Sequence, residues 1–353
     1  MHPRFLFTTL ATLLLALPAA AHHSRAGFTL DRTVEMKATI TKVRWSNPHV
    51  FFEGIVSGAN GRHEEWVFEG HSISGMVRAG WNRDTVKAGD QISLMLNLHR
   101  DPAKHFALVD NVVLASGQRL YAVGVAPAVA GAPQPKINPS TDFSGNWRYR
   151  FPGTPEQVRQ RILLGASPPT AEGPYTDRAR SQIRAWREND NPTYRCLPIS
   201  LPSLLMTVYE YKWIRYPDRI EIRKEQYLDV DRTIWLDPAK RPALRKADHL
   251  GVSTGRFEAD GTLVVETSGF SPQPWGIGSG VDSSAQKRIV ERYRLINNGM
   301  GLELSYTVED PVYLTAPLTA TGTFTKSPDS NFAPQPRCDL KAARQHIAFE
   351  DRR

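Results

Sequence analysis

The sequence predicts a mainly β protein made of two barrel domains in series. Segments that alternate apolar and polar residues recur along the chain, as in residues 303–309, and such alternation is typical of strands with one buried face. Tight-turn sequences such as Asp260–Gly261 separate these segments, which indicates antiparallel neighbours. A stretch rich in Ala and Pro divides the strands into two groups, and the 353 residues exceed one ordinary domain.

The first 21 residues have the composition of a secretory signal peptide. Arg4 precedes an apolar run from Phe5 to Leu17, and the small residues Ala19 and Ala21 follow. The run is shorter than a membrane span, so we expect cleavage after Ala21 rather than anchoring. The sequence therefore predicts an exported protein, periplasmic or secreted, with no transmembrane segment after cleavage.

The N-terminal domain, residues 22–120, has the element order of a small closed barrel. Strands are predicted over 34–45, 50–56, 64–69, 91–98 and 106–114, and a short helix over 72–81. Three strands, a helix and two strands is the order of an OB-fold, so we expect an OB-fold-like barrel.

The second domain, residues 142–353, follows a linker predicted at residues 121–141 from its Ala, Pro, Gly and Val content. Two helices come first: Thr154 and Gln157 have the spacing of a capping box, and Thr176 begins the second helix. Strands then dominate to near the end of the chain. A meander of this length closes most economically into an antiparallel barrel.

The start of this second barrel, Gly145–Asn146–Trp147, matches the Gly-x-Trp signature of lipocalins. We therefore expect a lipocalin-like barrel that binds a small apolar or amphipathic ligand in its interior. The candidate ligand-binding residues are aromatic and charged residues of its strands: Trp147, Tyr211, Trp213, Trp235, Arg256 and Glu291. The alternative interpretation is that the aromatic residues fill the barrel and the charged ones face water.

The charge pattern argues against a nucleic-acid partner. The chain carries 44 Lys and Arg against 36 Asp and Glu, a net charge of +8. These charges are scattered, whereas nucleic-acid binding is typical of a basic stripe with interleaved aromatic residues.

Both halves resemble exported bacterial proteins without an established activity. The N-terminal half is similar to the DUF6152 family through "HHS", "WSNPHV" and "RAGWNRDTVKAGD". The second half resembles another uncharacterised group through "DFSGNW", "RCLP", "YPDRIEI" and "VEDPVYL". These resemblances imply export and assign no catalytic residue.

Cleavage after Ala21 would make His22 the first residue of the mature protein. Its amine and one ring nitrogen would then chelate a metal ion, and a further imidazole would complete a tetragonal nitrogen site that suits copper. No other cofactor is expected. The competing interpretation is that "AHHS" is only the context of a cleavage site.

Hairpin geometry predicts which imidazoles could complete such a site. Pairing Ser57 with His63 across the intervening turn makes the numbers of facing residues sum to 120. His49 then lies opposite His71, and directly opposite residues share one face of a sheet. We therefore predict His22, His49 and His71 as metal ligands.

The two cysteines of the chain are Cys196 and Cys338. In an oxidising compartment an even number favours one disulfide. Two buried thiols are the alternative.

Ligand binding in the second barrel, with a copper site at the mature N-terminus, is the leading functional hypothesis. One alternative is a periplasmic enzyme, using copper for redox chemistry or acting as a hydrolase or isomerase in the barrel. Another is an interaction module of the cell envelope. Ser253 in Gly251–Gly255 has the spacing of a nucleophile elbow, but a predicted strand follows where that motif requires a helix.

Overall fold

Two closed β-barrels make up most of the computed structural model. The structure describes residues 27–57, 62–122, 142–154, 157–158, 170, 172–226, 228, 230–241, 247–327, 332 and 335–350. The mainly β prediction is confirmed. The proposed signal peptide, His22 and nearly all of the proposed linker lie outside the described residues.

The N-terminal barrel has the predicted order of elements. Its elements are β1 (Val34–Arg44), β2 (Phe51–Ser57), β3 (His63–Glu69), α1 (Ile73–Arg78), β4 (Gln91–Leu98), β5 (Phe106–Val113) and β6 (Arg119–Tyr121). Strand β1 pairs with β2 and β4, β2 with β3, and β4 with β5, all antiparallel. A parallel pairing of β3 with β5 closes the ring, which confirms the OB-fold-like barrel.

Helix α1 is shorter than predicted, because it ends before residue 81. Ser72 caps its start, accepting a hydrogen bond from the Gly75 amide at 3.3 Å. Gly80 has a φ of +92°, a left-handed conformation that terminates a helix. Ile73 and Met76 face the barrel and are buried in its core.

Nine strands form the C-terminal barrel. They are β7 (Gly145–Tyr149), β8 (Tyr211–Arg215), β9 (Arg219–Lys224), β10 (Arg232–Trp235), β11 (Val252–Phe257), β12 (Leu263–Ser268), β15 (Arg288–Ile296), β16 (Gly301–Glu309) and β17 (Leu318–Ser327). A hairpin of β13 (Gln273–Gly278) and β14 (Val281–Ser283) lies between β12 and β15 in the chain. The strands follow one another around the ring in chain order.

One pair in this barrel departs from the predicted antiparallel pattern. Strand β10 pairs with β11 in parallel, whereas the other eight neighbours are antiparallel. Directions cannot alternate all the way around a ring with an odd number of strands, so one parallel pair is required. Lipocalins close eight antiparallel strands. The barrel therefore resembles that of a lipocalin in being closed and in following chain order, but it has a different number of strands.

Capping residues of the second domain lie at the predicted positions. Gln157 donates its amide hydrogen to Thr154 Oγ1 at 3.3 Å and accepts at Oε1 from the Thr154 amide at 2.8 Å, the predicted capping box. Thr176 caps α2 (Asp177–Arg184), as predicted. A further helix that was not predicted, α3 (Leu340–Glu350), begins after Asp339, whose carboxylate accepts from two amides of the first turn.

A disulfide joins Cys196 to Cys338, with their Cα atoms 5.7 Å apart. The predicted pairing is confirmed. The bond ties the segment before α3 to the loop that precedes β8, across 142 residues of sequence. Within the described ranges, the longest apolar stretch of any helix is too short to cross a membrane.

Side chains of the N-terminal barrel also contact the second domain. Arg78, the last residue of α1, forms an ion pair with the buried Glu225 and donates to the Val208 carbonyl at 3.4 Å. Asn47 donates from Nδ2 to the Pro336 carbonyl at 3.2 Å. The N-terminal barrel therefore meets the second domain through polar contacts of Asn47 and Arg78.

Candidate functional site

The predicted pairing of His49 with His71 is confirmed. Strands β2 and β3 follow the register in which facing numbers sum to 120, with Ser57 opposite His63. Backbone hydrogen bonds continue it past the strand ends, since the Val50 amide donates to the His71 carbonyl at 3.0 Å. The two imidazole rings lie with their centroids 6.1 Å apart and their planes inclined at 37°. We call these two side chains the imidazole pair.

A buried carboxylate lies directly behind this pair. Nδ1 of His49 is 2.6 Å from Oε1 of Glu69, and the Glu69 side chain has no exposed surface. A carboxylate in this position favours the tautomer with hydrogen on Nδ1, which puts the lone pair of the ring on Nε2. Proteins use the same arrangement to orient histidines that bind metals.

The second imidazole is positioned by the first turn of α1. Nδ1 of His71 lies 3.1 Å from the Ser72 hydroxyl. A Cβ atom at Gly75 would lie only 2.3 Å from Nδ1 of His71, so this position requires glycine for the ring to pack where it does. The segment from His71 to Gly75 therefore fixes the ring through both a polar contact and close packing.

The imidazole pair is not a complete metal site by itself. Among the residues that the structure describes, no three His, Cys, Asp or Glu side chains are grouped so that they could hold a metal ion. Two imidazoles, one of them oriented by a carboxylate, do fit the nitrogen donors that copper prefers. Copper binding at His22, His49 and His71 stays a prediction.

The interior of the C-terminal barrel contains a buried ion pair. Arg232 donates from Nη1 to Glu291 Oε2 at 2.8 Å and from Nη2 to Glu291 Oε1 at 2.7 Å. Arg232 also donates to the hydroxyls of Ser253 at 2.8 Å and Thr267 at 2.7 Å, and the Tyr293 hydroxyl donates to Glu291 at 2.6 Å. Burial lowers the pKa of Arg232, but Glu291 outweighs it and the net shift is upward.

This network also shows the role of Ser253. Its hydroxyl is buried in β11 and is 3.0 Å from that of Thr267. Ser253 is thus part of a structural network and does not stand on a strand-to-helix turn, as a nucleophile elbow requires.

A small cavity adjoins this network, since Arg232 and Tyr293 also line it. Its volume is about 20 Å³, room for one or two water molecules. Apolar side chains line most of it, and its wall also contains Tyr211, Lys224, Arg232 and Tyr293. Burial lowers the pKa of Lys224 well below its ordinary value, and Arg232 adds to this effect.

The structure brings four of the six predicted ligand-binding residues into the barrel. Tyr211 and Trp213 line the cavity, whereas Trp147 and Glu291 are fully buried beside it. The other two belong to the outer positions of their strands. Trp235 alternates with the buried Ile234, and Arg256 is exposed and paired with Glu266 at 2.5 Å.

The candidate residues predicted from the sequence do not include Arg232 or the two buried lysines, Lys224 and Lys287. Lys224 has the same parity in β9 as the buried Ile220 and Ile222, and Arg232 has the same parity in β10 as the buried Ile234. Strand parity could therefore have identified both residues as inward-facing. Lys287 lies just before β15 and has the same parity as the buried Ile289 and Glu291, so the alternation of that strand extends to it.

Comparison with known proteins agrees with the resemblance of the N-terminal half. No curated protein and no solved structure matches the chain. Residues 11–107 match the family model described as a family of unknown function, DUF6152.

Proposed function

We propose that the protein is exported and that its N-terminal barrel binds Cu(II) through His22, His49 and His71. The observation that carries this proposal is the imidazole pair, with rings 6.1 Å apart and the Glu69 carboxylate 2.6 Å from Nδ1 of His49. Neutral imidazoles are strong ligands for copper, and an orienting carboxylate increases their basicity. The disulfide supports export, because such bonds persist in oxidising compartments.

The path of the chain near its start supports a role for His22. Phe28 packs in one buried cluster with Phe51, and Phe51 pairs with Glu69 in the β2–β3 hairpin. The chain therefore enters the barrel close to the strand ends that carry the imidazole pair. Phe28 is six residue steps from His22, a distance of roughly 20 Å when the chain is extended.

Titration with Cu(II) at neutral pH tests this proposal on four samples. They are the mature protein beginning at His22, the same protein with one extra N-terminal residue, His49→Ala, and His63→Ala as a matched control, because His63 is exposed on the neighbouring strand. We expect tight binding to the mature protein and to His63→Ala, and much weaker binding to the other two.

The pH dependence and the choice of metal give further checks. Binding should weaken as the pH falls, because the amine and the imidazoles must lose their protons. Cu(II) should bind more tightly than Zn(II). Equal Cu(II) affinity of the mature and extended proteins would rule out a role for the N-terminal amine. Equal affinity of His49→Ala and the mature protein would rule out the imidazole pair.

A second function, binding of a small amphipathic ligand in the C-terminal barrel, is supported by the Lys224 ammonium group in the wall of an otherwise mostly apolar cavity. Such a site would hold the polar end of a ligand at the lysine and its apolar part among the leucines and aromatic rings. Native mass spectrometry of the purified protein tests this directly. A bound lipophilic molecule would support it, and failure to bind any added amphipathic compound would exclude it.

A further inference from the structure

A short segment closes the end of the C-terminal barrel at which β8 begins and β9 ends. We call residues 200–206 the plug segment; they form turns. The side chains of Leu201, Leu204 and Leu205 are buried and make up part of the cavity wall. The plug segment therefore fills space that the strands of the barrel leave open.

Two buried lysines donate hydrogen bonds to this one segment. Lys224 donates from Nζ to the Leu204 carbonyl, to which the Tyr211 hydroxyl also donates at 3.0 Å. Lys287 donates to the Leu201 carbonyl at 2.7 Å and the Ser200 hydroxyl at 2.8 Å. Lysines are rarely so deeply buried unless they are paired, and a carbonyl compensates an ammonium charge less well than a carboxylate does.

Among the described residues, Arg232 has a direct carboxylate partner and Lys224 has none. Arg232 and Glu291 neutralise each other, whereas Lys224 meets a carbonyl and the ring of Tyr211, 4.2 Å from its Nζ. Glu291 and Asp231 favour the charged form of Lys224, but burial and Arg232 outweigh them. A carboxylate at the position of the Leu204 carbonyl would favour the charged form of Lys224 by direct pairing.

We infer that the plug segment occupies the binding site of an aliphatic carboxylic acid. The Leu204 carbonyl occupies the position at which a carboxylate oxygen of the ligand would accept hydrogen bonds from Lys224 and Tyr211. The side chains of Leu204 and Leu205 occupy the space that the alkyl chain of the ligand would fill. Since protein interiors are closely packed, the ligand must match the volume it displaces, and two leucine side chains correspond to about eight carbons. This inference rests on the second proposed function, ligand binding in the barrel.

Calorimetric titration with octanoate and with octanol tests the inference on the full-length protein. Leu204→Ala removes part of the plug and should bind octanoate about tenfold more tightly than the unmodified protein does. It should also bind octanoate more tightly than octanol. Leu197→Ala is the matched control, because Leu197 is exposed just before the plug segment, and it should behave as the unmodified protein.

A second substitution separates the contribution of the ligand's carboxylate from that of its alkyl chain. Lys224→Met in the Leu204→Ala background should remove the preference for octanoate and leave octanol binding unchanged. Equal binding of both compounds, unaffected by Lys224→Met, would overturn the carboxylate assignment while ligand binding in the barrel stood. If neither compound binds to a folded Leu204→Ala or Leu205→Ala protein, as judged by near-ultraviolet circular dichroism, both proposals are wrong.

Discussion

Replacing Arg232 by Met should strongly destabilise the C-terminal barrel. Arg232 is 7 % exposed and Glu291 is fully buried, so the substitution leaves a carboxylate inside the barrel without its cation. Removing one partner of a buried ion pair typically costs 3–5 kcal/mol. The hydroxyls of Ser253 and Thr267 lose Arg232 but lie 3.0 Å from each other, so they can still pair and add little to this loss. We expect a decrease of about 3–5 kcal/mol in the free energy of unfolding.

The measurement is urea unfolding, with hydrogen exchange read from peptides of β10 and β15. Arg256→Met is the matched control, because Arg256 pairs with Glu266 on the exposed outer face and should contribute at most about 1 kcal/mol. Arg232→Met combined with Glu291→Leu should recover about 1 kcal/mol or more, since it removes the uncompensated charge. Equal effects of Arg232→Met and Arg256→Met, or a double variant less stable than Arg232→Met, would refute the reasoning.

Three further predictions concern other parts of the molecule. Burial lowers the pKa of Lys287 to about 7, so the unfolded chain binds more protons than the folded one between about pH 7 and pH 10. Stability should therefore rise with pH across this window, and Lys287→Met should flatten the rise in urea titrations; an unchanged slope would contradict this. Gly75→Ala should weaken Cu(II) binding by displacing His71, whereas Gly278→Ala, where a Cβ meets no atom within 4 Å, should leave it unchanged. Limited proteolysis should cut first within residues 123–140, because a segment of Ala, Pro and Gly without periodicity builds no buried face; Ala122, just before it, is buried in the first barrel. Earlier cutting inside 34–114 would contradict the predicted linker.

Features that depend on neighbouring residues were predictable from the sequence. The β2–β3 register followed from one turn, and it placed His49 opposite His71 as observed. The cap of α2 at Thr176 followed from a single side chain before a helical pattern. In both cases the interaction spans few residues, so the local pattern contains the information.

Features that depend on closure of the barrel were not predictable in the same way. The parallel pairing of β10 with β11 depends on the number of strands in the ring, which no single segment reveals. Arg256 was predicted as a ligand-binding residue because it is charged in an otherwise apolar strand, although in β11 the inward parity belongs to Ser253 and Gly255. The plug segment has no periodicity, and its partner Lys224 lies about 20 residues away. Long-range packing, and not propensity, decides such positions.

Helix α1 joins the two proposed sites through a continuous set of contacts. Ser72, which caps the helix, contacts the ring of His71, and Arg78 at the other end pairs with the buried Glu225. Glu225 directly follows Lys224, which donates to the plug segment. We therefore expect metal binding at His71 to change the surroundings of Lys224 at the end of β9, through the contact of Arg78 with Glu225. Linkage then requires reciprocity: if copper changes the affinity of the barrel for a carboxylate, the carboxylate must change the affinity for copper by the same factor.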